Sequence, residues 1–180
     1  MMNTPAKLVF LLVACCLPLT LFAKLEDLKK KAMAFERGGE PLKAAQIYEQ
    51  IALDDASSRK VLAIRLVKIY ASEGQKDNAL KWAKSVIEDH PDPQAYMAGV
   101  YAMLGECSKA INILEKEIAK TKDPDRTLTL YWQLANVHEQ NNDPEKTEKA
   151  LSAAVFAAKG TRLEATAQRQ LDRFRNKKAE

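Results

Sequence analysis

The side chains that could do chemistry are few, and their spacing does not converge. The chain has two histidines, His90 and His138, and three cysteines, Cys15, Cys16 and Cys107. Two histidines do not make a metal site unaided, and no cysteine spacing suggests zinc. Glycine-rich phosphate loops are absent, and Gly38-Gly39 reads as the turn that ends a helix. Carboxylates are plentiful, but they lie three or four residues from lysines, as solvated pairs on helix surfaces do. His90 precedes Pro91, at a helix end where its ring could meet free carbonyls and the dipole. No catalytic group, metal ligand or cofactor is expected, and the chain reads as a non-enzyme.

The elements that must position these residues are helices. The 180 residues are 47% hydrophobic, with six glycines and seven prolines, most of them where a helix should stop. Ala, Leu, Lys, Glu and Gln dominate between them, a composition that favours helix. Sustained period-2 alternation is missing. Twenty-eight basic and 24 acidic residues are interspersed, for a net charge of +4. That describes a salt-bridge-laced surface, and nucleic acid is not expected as a partner. The local excess at Arg169, Arg173, Arg175, Lys177 and Lys178 reads as a solvated helical end or as a patch for an anionic partner.

Residues 1–23 differ from the rest. Lys7 is their only charge, Leu8 to Ala23 are apolar or small, and charge resumes at Lys24, Glu26 and Asp27. This is the pattern of a secretory signal peptide, with Leu21-Phe22-Ala23 as an imperfect cleavage site. Two alternatives stand beside it. One is an uncleaved N-terminal anchor, although 16 helical residues span only about 24 Å against a hydrocarbon core of about 30 Å, and Pro18 weakens a helix there. The other is lipidation, because Leu12-Val13-Ala14-Cys15 resembles the bacterial lipobox, whose cysteine carries the lipid. All three place the folded part outside the cytoplasm, in the periplasm, on a membrane facing it, or secreted. Membrane contact is expected only through this segment, if it is retained or lipidated. Cys107 is then alone in the mature part, as a half-buried residue near a helix start or a cross-linking thiol.

Internal similarity decides the fold. Four segments share one layout. A small or modest residue precedes an aromatic-type one by three: Ala32 and Phe35, Val67 and Tyr70, Ala98 and Tyr101, Ala135 and His138. Four residues after the aromatic comes a turn, at Gly39, Gly74, Gly105 and Asn142. Five further on, a small residue opens the next packed face: Ala44, Ala79, Ala110 and, as the exception, Thr147. Four beyond that lie Tyr48, Ala83, Leu114 and Leu151. The aromatic slots are spaced by 35, 31 and 37 residues.

This layout resembles the tetratricopeptide-repeat (TPR) family, whose period is about 34 residues. The family's Trp near the start of each repeat is replaced here by Leu28, Ala63, Gln94 and Tyr131. The resemblance implies an all-α solenoid of four antiparallel helix pairs, over about 25–58, 60–91, 92–123 and 126–160, within a repeat region of 24–160. Residues 161–180 then form a C-terminal capping helix and basic tail, with Leu163, Ala167, Leu171 and Phe174 or Arg175 at helical spacing. Pro41 and Pro144 fall where second helices begin, and Asp143 is placed to cap one.

The resemblance also implies a protein-binding scaffold whose inner helices line a groove for a protein or peptide. Carrying the groove positions over gives Lys29, Met33 and Arg37, then Val61, Ile64 and Lys68, then Ala95, Gly99 and Met103, then Trp132, Asn136 and Gln140. Trp132 is the sharpest candidate, as a groove hot spot or as packing against a neighbouring helix. Trp82, between Lys81 and Ala83, reads as a partly exposed packing residue. The family's carboxylate clamp is not reproduced: Lys29 fits, but Met33 stands where Asn is expected and Asp92 where Lys is expected.

Overall fold

The turns between helices are the most constrained points of the chain, and the helices follow from them. In a computed structural model that describes residues 23–179, every regular element is a helix. The leader and Cys15 lie outside the described residues. Helix α1 is continuous over 23–37. It is followed by α2 (Pro41–Asp54), α3 (Ala56–Ser72), α4 (Lys76–Lys84), α5 (Pro93–Met103), α6 (Cys107–Lys120), α7 (Pro124–Gln140), α8 (Pro144–Ala158) and α9 (Glu164–Ala179). No described helix is long and apolar enough to cross a membrane.

The four turn positions adopt the left-handed conformation expected of them, with φ of 76° at Gly39, 69° at Gly74, 72° at Gly105 and 54° at Asn142. In three turns this lets the chain close a Schellman motif on the aromatic-slot residue. Glu40 N–H donates to the Phe35 carbonyl at 2.9 Å, Glu106 N–H to that of Tyr101 at 2.9 Å, and Asp143 N–H to that of His138 at 3.0 Å. The slot residue thus fills space with its ring and ends its helix with its carbonyl.

Helix starts are equally local. Pro41, Pro93, Pro124 and Pro144 occupy first positions, where a missing N–H costs nothing. Asp55, Asp92, Asp123 and Asp143 cap α3, α5, α7 and α8 by accepting from backbone N–H groups. Helix α4 is short, ending at Lys84 rather than near Pro91. The Ser85 hydroxyl donates to the Trp82 carbonyl at 2.7 Å, a side-chain bond that competes with continuing the helix. His90 therefore sits in the loop before α5 and not at the end of α4.

The chain falls into two compact units, Met1–Glu73 and Gly74–Glu180. In the first, α2 packs on α3, and Ala44, Tyr48 and Ile51 are buried. In the second, α5 to α9 pack in sequence, and α5 also meets α7. Its core gathers Ala98, Ala110, Leu114, Leu130, Ala135 and Leu151. The positions that open the packed faces, Ala44, Ala79, Ala110 and Thr147, are all at most 1% exposed. Thr147 is tolerated because its hydroxyl donates to the Asp143 carbonyl at 2.8 Å, so no polar atom is left without a partner. Trp82 is buried rather than partly exposed.

Helix α9 covers the last face. Ala167 and Leu171 are buried and Phe174 is half-buried against the core. Arg175 instead points to Glu148, its Nε donating at 2.8 Å. Gly160 takes a φ of 77°, and Thr161 turns the chain into α9 by accepting from Leu163 N–H at 3.1 Å.

The same substitution at two glycines should have opposite effects. Gly99 lies inside α5 with open space where a Cβ would go, so Gly99→Ala should stabilise by about 0.5–1 kcal/mol. Gly105 also has open space but a φ of 72°, so Gly105→Ala should cost about 1–2 kcal/mol. Urea midpoints of the two variants should move in opposite directions, and equal shifts would refute the turn assignment.

Candidate functional site

In the first unit, a stripe of α3 recurs at helical spacing: Val61, Ile64, Arg65 and Lys68. Val61 is 71% exposed and Ile64 36%. Opposite it, α1 presents Lys29, Met33 and Glu36, with Met33 39% exposed. Lys29, Met33, Tyr48, Val61, Leu62 and Arg65 line one cleft of about 340 Å³ between these helices and α2. Lys29 and Met33, inferred from the repeat pattern, therefore share a cleft with Val61. Ile64 and Lys68 continue the α3 stripe beside it.

Arg65 organises this cleft, although the repeat pattern did not single it out. Its Nε donates to Glu36 Oε1 at 2.8 Å, and Nη2 pairs with Glu36 Oε2. Its guanidinium also lies over the Tyr48 ring, 5.2 Å from the centroid. The hydrogen bonds from Arg65 to Glu36 hold the guanidinium firmly charged. Burial pushes the Tyr48 phenol up, and burial with Glu49 nearby pushes Tyr70 up to about 12. The signal that could have found Arg65 was its place on the stripe, four residues after Val61.

In the second unit the inferred groove residues are dispersed. Met103 closes α5 and is 42% exposed. Trp132 is partly buried and packs against both core clusters, with its Nε1 buried and unpartnered among the described residues. Asn136 lies in a smaller cleft of about 200 Å³ with Gln170, Arg173, Phe174 and Lys177. Helix α9 thus borders part of the α7 face that carries Asn136. The basic tail is engaged too: Lys177 pairs with Glu139 at 2.9 Å and Lys178 with Glu148 at 3.6 Å.

Asp92, the departure from the carboxylate clamp, has a structural task. It caps α5 by accepting from Ala95 N–H at 3.3 Å. Arg126 of α7 grips it, with Nε at 2.9 Å and Nη2 at 3.2 Å, and extends Nη2 to Glu117 of α6 at 2.8 Å. Lys120 completes the set on Glu117 at 2.9 Å. His90 supports the loop before it, its Nδ1 accepting from Asp92 N–H at 3.1 Å while its ring stacks on Tyr96 at 4.7 Å. The hydrogen bond from Arg126 holds Asp92 below its ordinary value, and those from Lys120 and Arg126 do the same for Glu117. Among the described residues no group of three or more His, Cys, Asp and Glu could hold a metal ion. Cys107 is half-buried at the start of α6.

Two solved structures share this helical arrangement. One is the crystal structure of nearly identical TPR-like repeats from a Podosopora anserina protein provisionally named a kinesin light chain. It has 20% identity and a TM-score of 0.52, covering 84% of this chain and 85% of that one. A single-substitution form of the same protein gives 22% and 0.53, covering 84% of each chain. No family model matches the sequence, and no curated protein matches it. The chain has the fold of TPR-like repeats.

The cluster of Asp92, Glu117 and Arg126 should give a signature in acid. Carboxylates held low in the folded state contribute stability above their ordinary values of 3.8 and 4.5, and it is lost as pH falls through the lower folded values. Arg126→Met should lower stability at pH 7 by about 1–3 kcal/mol. It should also flatten the fall of melting temperature below pH 4.5, measured by circular dichroism.

Proposed function

We propose that this chain is a protein-interaction scaffold of the cell envelope, which holds an extended or helical peptide segment on its inner helices. The observation that carries this reading is the exposed apolar stripe of Met33, Val61 and Ile64, flanked by Lys29, Arg65 and Lys68. Exposed large apolar side chains beside a cleft favour a partner that covers them. Methionine adapts to irregular surfaces; Lys29 and Arg65 are paired with Glu26 and Glu36, and Lys68 favours an acidic residue beside an apolar anchor. The TPR-like fold supports the same class of function, since stacked repeats offer extended binding surfaces.

Export is part of the reading and rests on the sequence of residues 1–23, a basic start and an apolar run before Lys24. A second reading has its own support in Leu12-Val13-Ala14-Cys15. It makes the chain a lipid- or helix-anchored subunit of an envelope assembly, secretion or pilus-biogenesis machine. Intact mass of the mature protein separates the two. A chain beginning at Lys24 fits the soluble form, and a lipid adduct on Cys15 fits the anchored one.

Partner capture tests the surface itself. Ile64→Asp and Lys68→Glu alter exposed side chains and should leave helicity unchanged. Each should reduce the partner recovered by crosslinking in intact cells about tenfold, the effect of some 1.4 kcal/mol. Recovery equal to the parent's in both variants would eliminate this surface as the binding site.

A further inference from the structure

A separate cavity lies among α6, α7 and α8 of the second unit. Its volume is about 410 Å³, within the size range of small-molecule sites of about 300–1,000 Å³. Tyr131, Leu134 and His138 of α7 form its floor. At about 3.6 residues per turn these three lie on the side of α7 away from Trp132 and Asn136. None of its lining residues belongs to the surface proposed above, so the cavity does not rest on that reading.

Its lining is divided along its length. Helix α6 contributes Glu115, then Ile118 and Ala119, and α8 contributes Lys146 and Lys149, then Ala150 and Ala153. Because α7 turns back into α8 through only Asn141 to Asp143, the two run antiparallel. His138 then lies level with Lys146, and Tyr131 level with Ala153. One end is therefore polar, with His138, Lys146, Lys149 and Glu115. The other is apolar, with Ile118, Ala119, Tyr131 and Ala153.

Two features of the polar end point to what it takes. His138 is only 5% exposed, and its Nδ1 is buried with no hydrogen-bond partner among the described residues. Such an atom calls for a partner. Lys146 is already paired with Asp143 at 3.0 Å, whereas Lys149 has no ion pair among the described residues. With Lys146 held by Asp143, Lys149 is the lining cation that no carboxylate engages among the described residues.

We infer that this cavity binds a small amphipathic organic anion, with its apolar body between Ile118, Tyr131 and Ala153 and its single carboxylate or sulfonate head near Lys149 and His138. Lys149 supplies a charge-assisted donor that no internal carboxylate uses. The Ala119, Ala150 and Ala153 positions leave the room that larger side chains would fill.

The fluorescent probe 8-anilinonaphthalene-1-sulfonate has this form, and its binding to the full mature chain tests the inference. The parent should bind it saturably at one site per chain by isothermal titration. Lys149→Glu should weaken binding at least about tenfold, since a charge-assisted contact becomes a repulsion. Ala153→Trp should abolish it by filling the apolar end. Should Ala153→Trp lose helicity by circular dichroism, Ala119→Trp on the facing wall serves in its place. Lys84→Glu, on α4 and outside the lining, should bind as the parent does. A parent without a saturable site, or a Trp variant that binds as tightly as the parent, overturns the site. Unchanged affinity in Lys149→Glu overturns its assignment to anions.

Discussion

The close approach of helices at small residues is the constraint on which the rest depends. Ala44, Ala79, Ala110 and Thr147 have almost no accessible surface, and in the second unit Ala98, Ala110 and Ala135 belong to one core. A larger side chain at such a position would force the helices apart, at a cost of about 1–3 kcal/mol. The turns must then be short enough to keep the helices adjacent. Within the units that demands the left-handed residue at 39, 105 and 142. Spacing between small residue, aromatic and turn is thus one mechanical requirement written several times.

That requirement also explains where variation is tolerated. His138 replaces an aromatic because the slot needs a flat ring and a carbonyl, and it supplies both. Burial keeps its imidazole pKa below the ordinary value, so the packed form is the neutral one. Thr147 replaces alanine because its hydroxyl is absorbed by the turn of helix before it. The absence of the family's Trp changes the sequence signature without removing the constraint. A fold shared at about 20% identity, with no match to a family model, is the expected result.

Charge does different work from packing. Asp92, Glu117 and Arg126 tie the start of α5 to α6 and α7, in a place where geometry and partial burial strengthen ion pairing. Arg65 and Glu36 do the same between α1 and α3 while leaving an apolar cleft open beside them. Arg175, Lys177 and Lys178 of α9 pair with Glu139 and Glu148, so part of the terminal charge excess acts within the chain.

The sequence by itself determined the helix pairs, their turns, their proline starts and the covering role of α9. Each rests on interactions within a few residues, and local spacing records those. The repeat pattern also picked out Lys29, Met33 and Val61, which line one cleft. Only the tertiary structure decided that Arg65 bridges to Glu36 and Tyr48, that Arg126 gathers Asp92 and Glu117, that Asn136 faces α9 and that Trp132 leans into the core. These contacts join residues far apart in the chain. Their distances depend on how whole helices are rotated and offset, which a repeat pattern leaves free. The scarcity of chemistry noted at the outset concerns residue types. The cavity beside His138 is instead a matter of shape, set by where three helices leave a gap.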